Sequence, residues 1–151
     1  MRIEDCYEMG LLRKRRPDLR KSERAVELAY RDLERAKRLL ESEFYMESRL
    51  LSYTGMFQAA RALLFKDGIY ERSHACVVEY LKEVYVKKHI LDMSFVTCLD
   101  ALRVVRHESL YGLDVSEVPQ GEAEDSYLKA SKFVDKVADI LSHLNRRHAS
   151  F

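Results

Sequence analysis

The decapeptide RVVRHESLYG, Arg103 to Gly112, gathers two guanidiniums, an imidazole and a phenol within less than three helical turns. At about 100° per residue, Leu99, Arg103, Arg106 and Leu110 follow steps of four, three and four. Both arginines therefore extend the stripe that Phe95, Leu99 and Leu102 turn toward a core. Arg103, His107 and Tyr111 form an i, i+4 line beside it. A guanidinium is always charged and offers five donors, so an arginine on a core-facing stripe calls for a carboxylate or a phosphate to meet it. Two readings of the cluster stand side by side. One is an internal ion-pair network, with Asp100, Glu108 or an acid from another helix as the partner. The other is a phosphate site.

The remaining chemistry-bearing residues are more scattered. His74 follows Ser73 at a helix start, where it serves as a capping or core hydrogen-bonding residue or as part of a site. Cys6, Cys76 and Cys98 are far apart and odd in number, with no C-x-x-C pair; this fits a reducing cytoplasm, with Cys76 and Cys98 as small buried hydrophobes. The chain has no H-x-x-x-H pattern and no Gly-rich phosphate loop, so neither a metal nor another cofactor is expected. The net charge is +1, which makes no general case for a nucleic-acid or membrane partner. One local excess stands out: between Arg13 and Arg24 the chain carries seven Arg and Lys residues against Asp18 and Glu23. Such a cluster reads either as a solvated, fraying terminus or as an RNA contact.

Helices must position these groups. The 151 residues suit one domain, and 34% charged and 47% hydrophobic residues with only 5 Gly and 2 Pro favour long helices over sheet. An amino-terminal helix is expected over Glu4 to Arg15. From Ser22, Val26, Ala29, Leu33, Ala36 and Leu40 keep one helical face, and Leu50, Tyr53, Phe57, Ala60 and Leu64 repeat the pattern up to a cap at Gly68. Ser73 caps a helix running to about Lys88, and a break follows at His89 to Asp92. The helix carrying Arg103 and Arg106 comes next, then the polar loop DVSEVPQGEAED. The last helix buries Ala123, Tyr127, Ala130, Phe133, Val134, Val137, Leu141 and Leu144, with Arg146 and Arg147 at its carboxy-terminal end. The fold expected is all-α: an up-and-down antiparallel bundle of four to five helices, with residues 1–21 as a basic extension and 22–148 as the bundle. No apolar run is long enough to cross a bilayer, and no signal peptide is visible, so a cytoplasmic protein without a membrane partner is expected.

Four passages, AYRDLERAKRLLE, SYTGMFQAARALLFKDGIYERSHACVVEYL, LRVVRHESLYG and YLKASKFVDKVADIL, give the chain from about Glu23 to Leu144 a resemblance to a known family. It resembles the HEPN superfamily (higher eukaryotes and prokaryotes nucleotide-binding domains), and most closely its small stand-alone prokaryotic members. The resemblance implies a helical bundle, a homodimer, and a polar cleft between protomers. It further implies a toxin, or an accessory nucleotide- or RNA-binding partner, of a minimal nucleotidyltransferase in a two-gene system. Many relatives are metal-independent endoribonucleases that use an Arg-x(4-6)-His signature. Carried over, Arg106 and His107 are the candidate catalytic pair: arginine holds the scissile phosphate, and histidine exchanges a proton near neutral pH. Arg103, Arg106, Tyr111 and His74 are the candidate nucleotide- or phosphate-binding residues, and Tyr111 is the candidate for modification with AMP.

The sequence also departs from the pattern. Arg106 and Tyr111 keep an Arg-x-x-x-x-Tyr spacing, but His107 is adjacent to Arg106 and only four positions beyond Arg103, so the nuclease signature is not intact. Leu110 stands where an Asp often precedes the tyrosine, and Cys76 where a glycine follows the Ser-His pair. The alternative to the toxin reading is thus a non-catalytic dimeric binding module, or a structural bundle with an internal ion-pair cluster.

Overall fold

The computed structural model describes residues 1–113 and 117–149, with side chains through Leu144. Asp114 to Ser116 of the expected polar loop, and the side chains of Arg146 and Arg147, lie outside the described residues. The described chain is an all-α bundle carrying one small two-stranded sheet. Its elements are α1 (Ile3–Glu8), β1 (Leu12–Lys14), α2 (Leu19–Glu41), α3 (Tyr45–Asp67), β2 (Ile69–Glu71), α4 (His74–Tyr80), α5 (Met93–Tyr111) and α6 (Gln120–Ala149).

The α2 and α3 helices form the central antiparallel hairpin. Buried hydroxyls staple it at both ends: Ser22 Oγ donates to the Ala62 carbonyl and Ser48 Oγ to the Ala36 carbonyl, at 2.5 and 2.7 Å. Midway, a Cβ on Gly55 would stand 3.2 Å from Leu33 Cδ2 and 3.3 Å from the Ala29 carbonyl, so the absence of a side chain sets how closely the helices approach. The α6 helix packs on both, and α5 leans on α3. Between the layers lie Met56, Leu63, Leu64, Leu99, Phe133, Val134 and Val137, all fully buried. Their apolar area supplies the main driving force, at about 25 cal/mol per Å² removed from water.

Helix ends follow local chemistry. Asp18, directly after Pro17, accepts from the Lys21 amide and starts α2 three residues earlier than the apolar pattern suggests. Ser73 caps α4 as expected, accepting from the Cys76 amide. Beyond Tyr80 the helix widens into a π-helical turn over Leu81–Val86, a departure from the regular helix expected as far as Lys88. The cause lies in the tyrosines: Tyr80 and Tyr85, five residues apart, both donate to Asp67 Oδ2, at 2.9 and 2.7 Å. A π-turn aligns residues i and i+5, which an α-helix would splay apart.

The amino terminus corrects two expectations. The helix expected over Glu4 to Arg15 stops at Glu8, and the chain turns through Gly10 into β1. There Leu12, Arg13 and Lys14 pair antiparallel with Glu71, Tyr70 and Ile69 of β2. Leu12 is buried beneath this ladder, while Arg13 and Lys14 are exposed. The basic segment is therefore held in place and not a fraying end: Arg13 and Lys14 lie in the strand, and Arg20, Lys21 and Arg24 in the first turns of α2. The cysteines provide the second correction. Cys6 and Cys76 are fully buried, as expected for Cys76, but they form a disulfide that ties α1 to the first turn of α4. Cys98 alone keeps a free thiol.

Candidate functional site

Along α3, Arg49, Tyr53, Phe57 and Arg61 recur at steps of four, which places them on one face in a slow spiral. Opposite that face stand the start of α4 and the second half of α5. Ser73 holds the first turn of α4 in place, and this presents His74 to the aromatic pair. Its ring stacks on Phe57 with centroids 3.9 Å apart, and Nδ1 lies 2.5 Å from the Tyr53 hydroxyl. The imidazole is thereby fixed in both orientation and plane.

Burial favours the neutral form of both groups, whereas the neighbouring guanidiniums reinforce it at His74 and oppose it at Tyr53. Burial holds the His74 imidazolium off, and the guanidiniums of Arg106, Arg103 and Arg61 add to the effect against the opposing carboxylate of Glu71. The His74 pKa lies below its ordinary value of 6.5, so the ring is neutral at neutral pH. Burial pushes the Tyr53 phenol up to about 12, with Arg106 and Arg103 pulling in the other direction. Tyr53 thus keeps its proton, and with the phenol donating to Nδ1 the His74 Nε2 carries the ring proton.

The arginines differ in what meets them. Arg103 Nε binds Asp100 Oδ1 at 2.9 Å, one of the partners the ion-pair reading named. Arg61 Nε binds Glu71 Oε1 at 2.5 Å. Arg49, with only 15% of its side chain exposed, reaches Glu122 and Ser109 at 3.4 Å and leaves its buried Nε unpartnered among the described residues. Arg106 is half-buried, close enough for its charge to be felt at both Tyr53 and His74, and makes no ion pair among the described residues.

The structure therefore brings together Arg103, Arg106 and His74 from the sequence candidates. It does not bring His107 and Tyr111 into the same group. Those two are exposed on another side of α5, with ring centroids 5.2 Å apart and Tyr111 68% exposed. The imidazole that shares the arginines' field is His74, contributed by a different helix. Tyr53, Phe57, Arg49 and Arg61 are not among the sequence candidates, since periodicity assigns Tyr53 and Phe57 to the core. The step-of-four run Arg-Tyr-Phe-Arg is the available signal, because charged ends on an aromatic stripe are out of place in a core. Among the described residues there is no cluster of His, Cys, Asp and Glu able to hold a metal ion, and no helix is long and apolar enough to cross a membrane.

Neutral imidazole, protonated phenol and an arginine without a carboxylate among the described residues make a surface rich in donors. Such a surface suits an oxyanion. The sequence model of the HEPN domain matches residues 22–141. The chain is 25% identical to "Putative toxin MJ0605" of Methanocaldococcus jannaschii over 119 residues, 79% of this chain and 87% of that protein. It is 27% identical to "Putative toxin MJ0142" of the same organism over 126 residues, 83% of this chain and 85% of that one.

Proposed function

Because the chain belongs to the HEPN domain family, we propose that it is a toxin-type HEPN protein in which the polar cluster of Tyr53, His74, Arg103 and Arg106 between α3, α4 and α5 forms a cleft that binds the phosphate of a nucleotide or of RNA. The observation that carries this reading is Arg106. A half-buried guanidinium beside a neutral His74 and an un-ionised Tyr53, and without an acid among the described residues, is left with charge and donors for an incoming anion. Arg103, steadied by Asp100, stands one helical turn away and supplies a second guanidinium. Names of the two relatives support the toxin assignment. The partner is a minimal nucleotidyltransferase, and the functional unit is a homodimer in the cytoplasm. Exposed Val104, Leu110 and Leu113 near the end of α5 support a covered face there. A disulfide fits a cytoplasmic setting in heat-adapted cells, toward which the charge-rich composition also leans.

Calorimetry with AMP tests the binding. Wild type should bind, and Arg106→Ala should weaken binding by about tenfold to a hundredfold, the range for a lost charge-assisted hydrogen bond. Equal affinity of the two proteins would remove the reading and leave a structural bundle. Incubation with labelled RNA in the presence of a chelator tests cleavage separately. Loss of cleavage in His74→Gln would assign proton transfer to His74, and loss only in His107→Gln would assign it to His107.

A second reading of the end of α5 is favoured by the exposure of Tyr111. Its phenolic oxygen would attack the α-phosphorus of ATP on the partner enzyme, forming the phosphodiester and releasing pyrophosphate, with the phenolic proton passing to solvent. Mass spectrometry after incubation with that enzyme and ATP should show one added AMP, absent in Tyr111→Phe.

A further inference from the structure

The cations between Arg13 and Arg24 lie mostly outside residues 22–141, which match the family, and the cleft makes no use of them. They nevertheless occupy a built surface. The Arg15 amide donates to the Gly68 carbonyl at 2.7 Å, the Asp18 amide to the Phe65 carbonyl at 2.9 Å, and the Arg72 amide to the Leu11 carbonyl at 2.8 Å. Backbone bonds thus fix the segment on both sides, while the side chains of Arg13, Lys14, Arg16 and Arg20 are exposed. Arg13, Arg16 and Arg20 make no ion pair among the described residues.

An aromatic ring sits within this charge. Tyr70 faces Arg13 across the ladder, and Lys21 Nζ lies 2.8 Å from its hydroxyl and 4.7 Å from its ring centroid. Next along the surface, Lys21, Arg24, Gln58 and Arg61 line a shallow depression of about 160 Å³ floored by Phe65. The field of Arg61 reaches His74. Cations therefore recur from β1, over the start of α2 and onto α3, with Arg24 paired to Glu27 and Arg61 to Glu71 along the way.

A row of cations with a half-exposed ring is the combination that binds single-stranded nucleic acid, with phosphates on the cations and a base on the ring. A duplex keeps its bases stacked inside and offers none to Tyr70. We propose that the β1–β2 ladder and the first turns of α2 form a track along which single-stranded RNA is led into the cleft. This proposal rests on the reading of the cleft as a phosphate site.

The test compares wild type, Arg13→Gln/Lys14→Gln/Arg16→Gln and Arg106→Ala for binding of fluorescent oligouridylate of about 20 nucleotides, long enough to span cleft and track, and of AMP. The triple variant should bind AMP as wild type does but lose oligouridylate affinity. Its slope of log affinity against log salt should flatten by about 2, at roughly 0.7 per lost phosphate contact. Arg16→Gln/Arg20→Gln, which leaves the ladder untouched, should flatten it in the same direction and guards against misfolding of the triple variant. Unchanged oligouridylate affinity and slope in both variants would overturn the track, as would AMP binding without any oligouridylate binding; either result leaves the cleft standing. Failure of wild type to bind either ligand would overturn both. Polyglutamate held as tightly as oligouridylate would mark a surface for acidic partners and overturn the RNA assignment.

Discussion

The arginines of the cleft and those around the β1–β2 ladder carry the same charge in opposite surroundings. Arg49, Arg61, Arg103 and Arg106 are half-buried, and three of them are steadied by Glu122, Glu71 and Asp100. Arg13, Arg16 and Arg20 are exposed. A guanidinium that has lost part of its hydration and cannot swing acts at short range and with direction, through its fork of donors. An exposed one acts at long range through screened charge and tolerates any geometry. The first kind discriminates and the second kind collects. Their difference depends on how the two regions are held: the cleft by the packing of α3, α4 and α5, the amino-terminal region by a short ladder, a left-handed turn and a disulfide.

The largest effect that can break this comparison is on the ladder's anchor. Cys6 and Cys76 are separated by 70 positions, and on chain-entropy grounds Cys6→Ser/Cys76→Ser should lower stability by about 4 kcal/mol in urea unfolding. Hydrogen exchange should then rise first at β1 and β2, with the central α2–α3 amides still protected. Uniform loss of protection would show that ladder and cleft are one cooperative unit. Gly68→Ala comes next. Gly68 has φ of 77°, and an added Cβ would stand 2.4 Å from the Arg15 carbonyl, so thermal unfolding should report a loss of about 1–3 kcal/mol. A smaller effect separates the two kinds of arginine directly. Arg106→Lys keeps the charge but loses the fork, and AMP binding should weaken by about tenfold; Arg13→Lys/Arg16→Lys should leave oligouridylate binding within about twofold. Equal tolerance at both sites would erase the distinction.

The smallest effect is the pH dependence of His74. Its pKa is lowered on folding, so the unfolded chain binds the proton more readily and folding stability rises with pH wherever the two states differ. The contribution is complete above the ordinary value of 6.5 and declines as pH falls below it. Chemical unfolding across that range should show a slope in wild type that His74→Gln removes. A bound anion would oppose the depression, so affinity for sulfate, whose own charge is constant there, should increase as pH falls through the same window.

Much of this arrangement is legible in the order of the amino acids. The i, i+3 and i, i+4 recurrence of apolar residues locates the long helices, Ser73 and Gly68 mark their ends, and the angle between Leu99 and Arg106 turns both α5 arginines toward the protein's interior. These readings succeed because helical periodicity is local: each residue's environment follows from neighbours one turn away. The same logic misleads at His107, whose place beside Arg106 in the chain sets its side chain about 100° around the helix, away from it in space. It is also silent on the partner that counts. The Tyr53–His74 bond, the Arg61–Glu71 pair, the ladder between β1 and β2 and the disulfide from Cys6 to Cys76 join residues on separate elements.

By itself, then, the sequence determined the all-α class, the course of the helices and the presence of a cationic, core-facing stripe on α5, since each of these is decided within a few turns of chain. Tertiary structure alone decided which imidazole joins that stripe, which arginine is left without an acid among the described residues, and that the basic amino-terminal segment begins as a strand paired to β2. Those outcomes depend on distances between elements, and such distances exist only once the core has packed.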